Sequence, residues 1–321
     1  MIGIKLTGGL GNNMFEYASA KSLAVSKKTE FCYFSQKDHM FQFKRFKKII
    51  LYFLFRKKDL FKTQLSQEDL IVYFKIEENI LKLFFYRLIW FLNRNRKKDN
   101  YIYPKLFIKN KSTKFLRKEF YSCSEWTKLE GGLLSELFFV DRKQILKWFT
   151  PRDFYKKQID KIEKTFYLPK EKRCCIHIRR GDALFMDKGC SYRKLGWGLP
   201  LEYYNYIFKK LSKDLLYIFV SDHPKWALDK FDYLPNKIFL QDNSELVDMF
   251  MFSKCKYNVI SRGTFSWWGA WLNQIPNKVV YAPKYFIGIP QKRSIPYGMD
   301  KGIEVSKWNF IDLEKECFKV K

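Results

Sequence analysis

The sequence predicts an α/β protein built on parallel, doubly wound sheets, and three observations support that prediction. Short apolar runs of strand length alternate with segments of helical periodicity from about residue 174 to 282. The chain opens in the same manner, with a strand-like run at 2–6, a glycine-rich turn and a helical pattern. A hydrophobic fraction of 47% over 321 residues excludes a disordered chain and is enough to build the cores of two domains.

The amino-terminal strand is followed by the turn GGLGNN, a predicted helix over 14–28 and a second strand at 31–34. Gly9 and Gly11 form a GxG pattern after a strand, as in dinucleotide-binding turns. Met14 stands where the third glycine of that pattern belongs, and no acidic residue closes the following strand. NAD binding is therefore not expected, and no GxxxxGK[ST] phosphate loop occurs anywhere in the sequence.

The middle of the chain alternates aromatic clusters with lysine and arginine, and the segment from about 40 to 118 carries more than half of the net charge of +28. Residues 80–92 follow helical spacing with basic residues beside an apolar face. Such a helix either lies on an anionic membrane or packs in the core with a lysine-rich exposed side. Residues 119–170 are predicted to be mostly helical. We expect an N-terminal α/β domain over 1–160 that contains the basic aromatic helical insertion, and a second Rossmann-like domain over 161–321.

The second half of the chain provides the clearest strand pattern. Its short apolar runs are CCIHI (174–178), YIFVS (217–221), KIFL (237–240), NVI (258–260) and KVVYA (278–282). Ligands of a doubly wound sheet bind beyond the carboxyl ends of its strands. The loops that begin after residues 178, 221 and 260 are therefore the candidate ligand-binding loops.

These loops contain groups that suit an anion. Arg179 and Arg180 present planar forks of N–H donors that match the oxygens of a pyrophosphate. Ser261, Thr264 and Ser266 surround the start of a predicted helix, where backbone N–H groups and hydroxyls can hold an anion. Taken one at a time, each has an ordinary explanation as surface charge, helix cap or core packing. Their joint position at successive strand ends favours one phosphate site.

The charge balance narrows the classes of partner. There are 61 lysines and arginines against 33 aspartates and glutamates. This excess of positive charge attracts nucleic acid, an anionic membrane or phosphorylated small molecules. No helix-turn-helix, RNP or zinc-finger signature accompanies it. A basic nucleic-acid-binding protein is one functional class that this charge allows, but without such a signature no nucleic-acid partner is expected.

The numbers and spacing of cysteines and histidines indicate the cellular compartment and whether a metal is bound. The seven cysteines form no CxxC pair, and Cys174 and Cys175 are adjacent inside an apolar run, which favours reduced thiols and a reducing compartment. The sequence shows no secretory signal, and its most apolar window is too short to span a bilayer. With three scattered histidines and no DxD spacing, no metal or other cofactor is expected.

Four motifs follow one another along the chain. They are GGLGNNMFEYA (8–18), HIRRGD (177–182), SDHPKWA (221–227) and VISRGTFSWWGAWLN (259–273). In order and spacing they resemble glycosyltransferase family 11, the α-1,2-fucosyltransferases. The resemblance implies inverting transfer of L-fucose from GDP-β-L-fucose to a hydroxyl, typically O2 of a terminal galactose, without a metal. It also implies a GT-B-like fold of two Rossmann-like domains, with the donor at the carboxyl ends of the strands of the second.

The resemblance also implies roles for individual residues. His177, Arg179 and Arg180 would hold the donor diphosphate, and Arg179 would have the largest catalytic role. Asp187 is the candidate general base, with Glu16 as a second candidate. The further donor-site candidates are Asp182, which would brace the arginine loop, and Ser221, Asp222, Ser261, Thr264, Phe265 and Ser266. The amino-terminal loop contributes Gly9, Gly11, Asn12 and Asn13.

The sequence departs from the family pattern at one donor loop. Members commonly read SNSSFSWW or SNSTYSWW where this chain reads SRGTFSWW, so that Arg262 and Gly263 replace a polar pair. This change either adds a cation near GDP or alters the choice of donor. The family's central GY-F-Q stretch appears only as FYSCSEW (120–126).

The most favoured function is a cytoplasmic bacterial fucosyltransferase that modifies the precursor of an O-antigen or capsule. Its partners would be GDP-fucose and a galactose-terminated glycan or lipid-linked oligosaccharide. The basic aromatic insertion would allow peripheral association with the anionic inner face of the membrane. An alternative keeps the fold but changes the GDP-sugar donor or the linkage.

Overall fold

The structure is a computed structural model, and its described residues form two compact units. It describes residues 1–34, 70–76, 85, 100–102, 118, 120–125, 127–130, 133–181, 198–284, 305 and 307–318. Described residues up to 152, except 134–136, belong to the first unit, and the others belong to the second. Most of the predicted basic insertion lies outside the described residues, as do Asp182 and Asp187.

The first unit contains a four-stranded parallel sheet in the order β2-β1-β4-β3. Its strands are β1 (Ile2–Lys5), β2 (Phe31–Phe34), β3 (Asn100–Ile102) and β4 (Thr127–Glu130). Its helices are α1 (Leu10–Ser26), α2 (Leu70–Tyr73) and α3 (Arg142–Trp148); a 3-10 turn spans Glu136–Phe138, of which Glu136 belongs to the second unit. The first predicted strand, turn and helix are thereby confirmed, although α1 begins at Leu10, four residues earlier than expected.

The helical prediction for residues 127–130 is wrong. Thr127 and Leu129 are fully buried while Lys128 between them is half-buried, which is the alternation of a strand. They pair in parallel with Ile2 and Ile4 of β1. The sequence is misleading here because two charged residues in a four-residue segment fit the exposed face of a helix as well as that of a strand.

The second unit contains a six-stranded parallel sheet in the order β7-β6-β5-β8-β9-β10. The strands are β5 (Arg173–Ile178), β6 (Leu216–Ser221), β7 (Lys237–Phe239), β8 (Tyr257–Val259), β9 (Val279–Pro283) and β10 (Asn309–Ile311). Counted from β5, this order is the 3-2-1-4-5-6 arrangement of Rossmann folds, which reverses direction between β5 and β8. The five predicted strands are confirmed to within a residue or so at each end, and β10 was not predicted.

Helices cover both faces of this sheet. They are α4 (Asp153–Glu163), α5 (Leu201–Phe208), α6 (Pro224–Phe231), α7 (Glu245–Met251) and α8 (Thr264–Leu272). Shorter turns span Lys170–Lys172, Phe252–Lys254 and Leu313–Cys317. Cys174 and Ile176 pack into the core under α5 and α6, whereas Cys175 packs into the core under α4 and α7. Burial on both faces explains why β5 reads as a continuous apolar run.

The predicted fold class, two Rossmann-like α/β units with parallel sheets, is confirmed by this topology. Among the described residues, six cysteines are free thiols. Over the same part of the chain, no helix combines the length and the apolarity needed to cross a membrane.

Candidate active site

The loops after β5 and β8 meet where the strand order of the second sheet reverses. His177, near the end of β5, and Ser261, two residues beyond β8, are joined by a hydrogen bond of 2.6 Å between Nδ1 and Oγ. The imidazole also packs against Phe265, with ring centroids 5.1 Å apart. Because crevices at this reversal point bind the ligands of doubly wound sheets, the two joined loops form the candidate active site of this unit.

His177 is a neutral link between the two loops. Its side chain is 6% exposed, and burial lowers its pKa to about 3, with a smaller contribution from the Arg179 cation. At neutral pH the imidazole therefore holds no net charge and cannot act as a cation toward a phosphate. Its proposed contact with the donor stays a prediction, while its hydrogen bond to Ser261 is present in the structure.

Arg179 reaches from the β5 loop to the backbone of the β8 loop. Its Nη1 donates to the carbonyl oxygen of Arg262 over 3.2 Å. Gly263 has a φ of +151°, and a Cβ at this position would lie 3.0 Å from Arg179 Nη1. In this chain glycine therefore suits both the backbone conformation at 263 and the close approach of the Arg179 guanidinium.

A carboxylate from the end of β6 fixes the turn that contains Arg180. Asp222 accepts hydrogen bonds from the backbone N–H groups of Arg180 and Gly181, over 2.8 and 3.0 Å. The Arg180 guanidinium lies over the Trp226 ring at 4.0 Å, a cation–π contact. Partial burial lowers the pKa of Arg180, although nearby Tyr204 and Asp222 oppose this. Asp222, predicted as a donor-site residue, is thus seen to hold the arginine turn.

Arg262 is the most deeply buried arginine among the described residues of the site. Arg262 is 1% exposed, and its side-chain Nε, Nη1 and Nη2 have no hydrogen-bond acceptor within the described part of the chain. Burial lowers the pKa of Arg262 to about 10, with opposing effects from Tyr204 and Tyr203, so the side chain remains charged at neutral pH. The departure from the family pattern at this position was the sequence signal that pointed to it.

The other predicted donor residues fall into two groups. Phe265 and Ser266 lie beside Ser261, and Ser266 Oγ donates to the Ser261 carbonyl oxygen over 3.3 Å. Thr264 is the first residue of α8. Ser221 lies in the neighbouring loop, where its hydroxyl accepts from the His223 N–H over 2.9 Å. The structure therefore brings His177, Arg179, Ser261, Phe265 and Ser266 together and places Arg180, Ser221 and Asp222 at the adjacent strand end.

The predicted amino-terminal loop belongs to the first unit. Gly9 is the residue before α1, and Gly11, Asn12 and Asn13 form the first turn of that helix, with Gly11 and Asn13 buried. Glu16 is 1% exposed and accepts from both the N–H and the hydroxyl of Thr7, each over 2.6 Å. Burial raises the pKa of Glu16 to about 8. Through its two hydrogen bonds to Thr7, the carboxyl group of Glu16 fixes the loop after β1.

Two predictions stay open at the site. Asp187, the candidate base, and Asp182 lie outside the described residues. The absence of a metal also stays a prediction, and over the described residues no three His, Cys, Asp or Glu side chains group as metal ligands would.

Known proteins resemble this chain over most of its length. The profile of glycosyl transferase family 11 matches residues 92–286. An O-antigen biosynthesis glycosyltransferase, WbnK, from Escherichia coli is 30% identical over 88% of this chain and 94% of its own. An alpha-1,2-colitosyltransferase from Escherichia coli is 26% identical over 94% of this chain and 98% of its own.

A further relative resembles a shorter part of the chain. Galactoside alpha-(1,2)-fucosyltransferase 1 from Sus scrofa is 26% identical over 46% of this chain and 43% of its own. The family profile covers more than half of the chain, and WbnK resembles it nearly from end to end. The protein is therefore a glycosyltransferase similar to galactoside α-1,2-fucosyltransferases, and it belongs to glycosyl transferase family 11.

Proposed function

We propose that this protein transfers L-fucose from GDP-β-L-fucose, with inversion, to O2 of a terminal galactose in a surface-glycan precursor. Two of the similar proteins carry α-1,2-transferase names, and a third is named for O-antigen biosynthesis. The observation that carries the proposal is the meeting of the Arg179 and Arg262 loops at the strand-order reversal. A nucleoside diphosphate sugar is the substrate class that needs cations at this place.

The chemistry follows from where charge develops. As the bond between fucose and GDP breaks, negative charge grows on the leaving β-phosphate. Fixed guanidinium groups stabilise that charge more in the transition state than in the ground state, which accelerates the reaction. Arg179 is the proposed catalytic cation, Arg180 a second diphosphate ligand, and Asp222 the residue that fixes their turn. Asp187 stays the candidate base that removes the proton of the acceptor hydroxyl.

A specific observation supports a second donor. One relative is named for transfer of colitose rather than fucose, with the same α-1,2 linkage. The loop that carries Arg262 and Gly263 is where this chain departs from the common family pattern, next to the proposed donor site. The second candidate function is therefore transfer of another GDP-linked sugar by the same residues.

The place of action is part of the proposal. We expect a cytoplasmic enzyme at the inner face of the membrane, where lipid-linked glycan precursors are accessible. The free thiols of the described cysteines agree with a reducing compartment. Sedimentation with anionic and with neutral vesicles tests membrane association, and an equal lack of binding to both would remove it from the proposal.

The donor and the acceptor are tested in one assay. Purified protein is incubated with GDP-fucose, GDP-colitose or GDP-mannose, with and without a β-galactoside, and GDP release is measured. We expect release from GDP-fucose only when terminal galactose is present, and an α-1,2 linkage in the product by NMR. Equal rates with EDTA are expected if arginines replace a metal. Turnover of only another GDP-sugar would favour the second candidate, and no turnover of any would contradict both.

A further inference from the structure

The Arg262 side chain is a buried cation without a counterion in the described part of the chain. A guanidinium carries five N–H donors and no acceptor. All three of its nitrogens are buried, and none has a hydrogen-bond acceptor among the described residues. A charge buried in this state costs several kcal/mol unless a ligand or an ion pair compensates for it. The folded protein without ligand therefore retains an unfavourable term at this position.

Two buried tyrosines that act on Arg262 do not compensate for that charge. Tyr203 and Tyr204 are the groups whose electrostatic influence reaches Arg262, and both are neutral phenols with strongly raised pKa values because they are buried. The Tyr203 hydroxyl donates to the Ile260 carbonyl over 2.9 Å, and the Tyr204 hydroxyl donates to the His177 carbonyl over 3.2 Å. These hydroxyls thus bond the backbone at the ends of β8 and β5 and supply no negative charge to Arg262.

The position of Arg262 indicates what its ligand is. Its backbone carbonyl oxygen accepts from Arg179 Nη1, so residue 262 is in direct contact with the proposed catalytic arginine at the strand-order reversal. Sugar hydroxyls could accept hydrogen bonds there, but they would leave the positive charge uncompensated. A phosphate group offers both negative charge and paired oxygens that match a guanidinium fork.

We propose that Arg262 is a donor-binding residue whose missing acceptors are oxygens of the nucleotide diphosphate. This inference deepens the proposed function and rests on it. It assigns part of the affinity for the nucleotide to a side chain that the fold itself does not need. Diphosphate binding should therefore stabilise the protein through Arg262, whereas removal of the Arg262 charge should not destabilise the free protein.

The test compares Arg262→Met with Arg173→Met, which removes a second buried arginine of this unit. The affinities for GDP, guanosine and inorganic pyrophosphate are measured by calorimetry, and the Tm is measured with and without each. For Arg262→Met we expect GDP and pyrophosphate to bind at least about tenfold more weakly, as for loss of a charged hydrogen bond. We expect guanosine affinity to be unchanged and the Tm of the free protein to be equal or higher. Arg262→Lys should bind GDP with intermediate affinity.

Arg173→Met should give the opposite result, because Glu163 and backbone carbonyls already satisfy that guanidinium. Its Tm should fall, and its GDP affinity, measured at a temperature where it is folded, should equal that of the wild type. Unchanged GDP affinity in Arg262→Met would overturn the inference, as would a fall in its Tm like that of Arg173→Met. Failure of both Arg262→Met and Arg262→Gln to fold would also count against it. Wild-type protein that binds no GDP would instead overturn the proposed function itself.

Discussion

The two ends of the second sheet each hold a buried arginine. The hydrogen-bond donors of one arginine have acceptors within the protein, and those of the other do not. At the amino end, Arg173 donates to Glu163 Oε1 over 3.2 Å and to the Phe166 carbonyl over 3.3 Å, and it also bonds the Leu168 carbonyl. At the carboxyl end, the Arg262 guanidinium has no acceptor in the described residues. The sheet thus completes its polar contacts internally at one end, and at the other it leaves donors for a ligand.

A pair of asparagines shows the same completeness at the amino end. Asn273 Nδ2 donates to the carbonyls of Phe252 and Cys255 and to Asn258 Oδ1, all within 2.9 Å. Its own Oδ1 accepts from the Ile275 N–H over 2.9 Å. Every polar atom of this amide has a partner, so the network stabilises the fold and offers nothing to a substrate.

The largest expected effect is at the carboxyl end. Arg179→Ala should lower kcat/KM by about 100- to 1000-fold, because a fixed donor to the developing phosphate charge is lost. Its free energy of unfolding should fall by no more than about 1–3 kcal/mol, the cost of the hydrogen bond to the Arg262 carbonyl, so the fold should stay intact. Steady-state kinetics and chemical denaturation measure the two quantities. A near-normal rate, or a loss of stability without loss of rate, would contradict the division between the two ends.

The matching change at the amino end is Asn273→Leu. It leaves Asn258 Oδ1 and the Ile275 N–H without their partner, and each such loss costs about 1–3 kcal/mol. We expect the free energy of unfolding to fall by about 2–4 kcal/mol in urea denaturation, with kcat/KM of the folded protein within about twofold of wild type. A large loss of activity without loss of stability would show that this end also serves the reaction.

The link between the loops predicts a dependence on pH. The His177 pKa is about 3 in the folded protein and 6.5 in the unfolded chain. Between these values the unfolded chain binds the extra proton, so the contribution of His177 to stability is complete above pH 6.5 and decreases as the pH falls. By pH 5 the loss should reach about 2 kcal/mol. In His177→Asn, the free energy of unfolding should fall by about 2 kcal/mol less than in the wild type between pH 7 and pH 5. Equal pH dependence of stability in the two proteins would contradict the burial of a neutral imidazole.

The smallest expected effect is at Asp222, which holds the arginine turn. Asp222→Ala removes both acceptors of the turn and should lower kcat/KM by about tenfold, the cost of one or two hydrogen bonds to a carboxylate. If Asp222 acts by positioning Arg180, its loss should add little in an Arg180→Ala background. Additive losses in the double variant would indicate an independent contact with substrate.

The sequence was sufficient for much of this fold and for the location of the site. The runs at β5, β6 and β8 are buried on both faces, so they could be identified without knowledge of their neighbours, and their order placed the candidate loops at one edge. The strand β4 could not be distinguished from a helix because its identity depends on its pairing with β1. Family membership leaves the nucleic-acid alternative without support, whereas the role of Asp187 stays a prediction.

The details of the site depend on tertiary packing. Asp222 was predicted as a donor-site residue, which stays a prediction, and its bonds to the backbone N–H groups of Arg180 and Gly181 could not be foreseen from the sequence. His177 was predicted to contact the donor diphosphate, and only the packed structure shows that its imidazole is buried against Phe265 and neutral. The unsatisfied state of Arg262 can be recognised only once the hydroxyls of Tyr203 and Tyr204 are seen to be committed to backbone carbonyls.

The close approach of Gly263 to Arg179 means that positions 262 and 263 of this loop differ in the substitutions they tolerate. In this chain a side chain at position 263 is disfavoured by the φ of +151° and by the 3.0 Å that would separate a Cβ atom from the Arg179 guanidinium. Position 262 holds Arg179 through a main-chain carbonyl, which every amino acid supplies. A change of the side chain at 262 can therefore alter how tightly the diphosphate is held without removing the contact that positions Arg179.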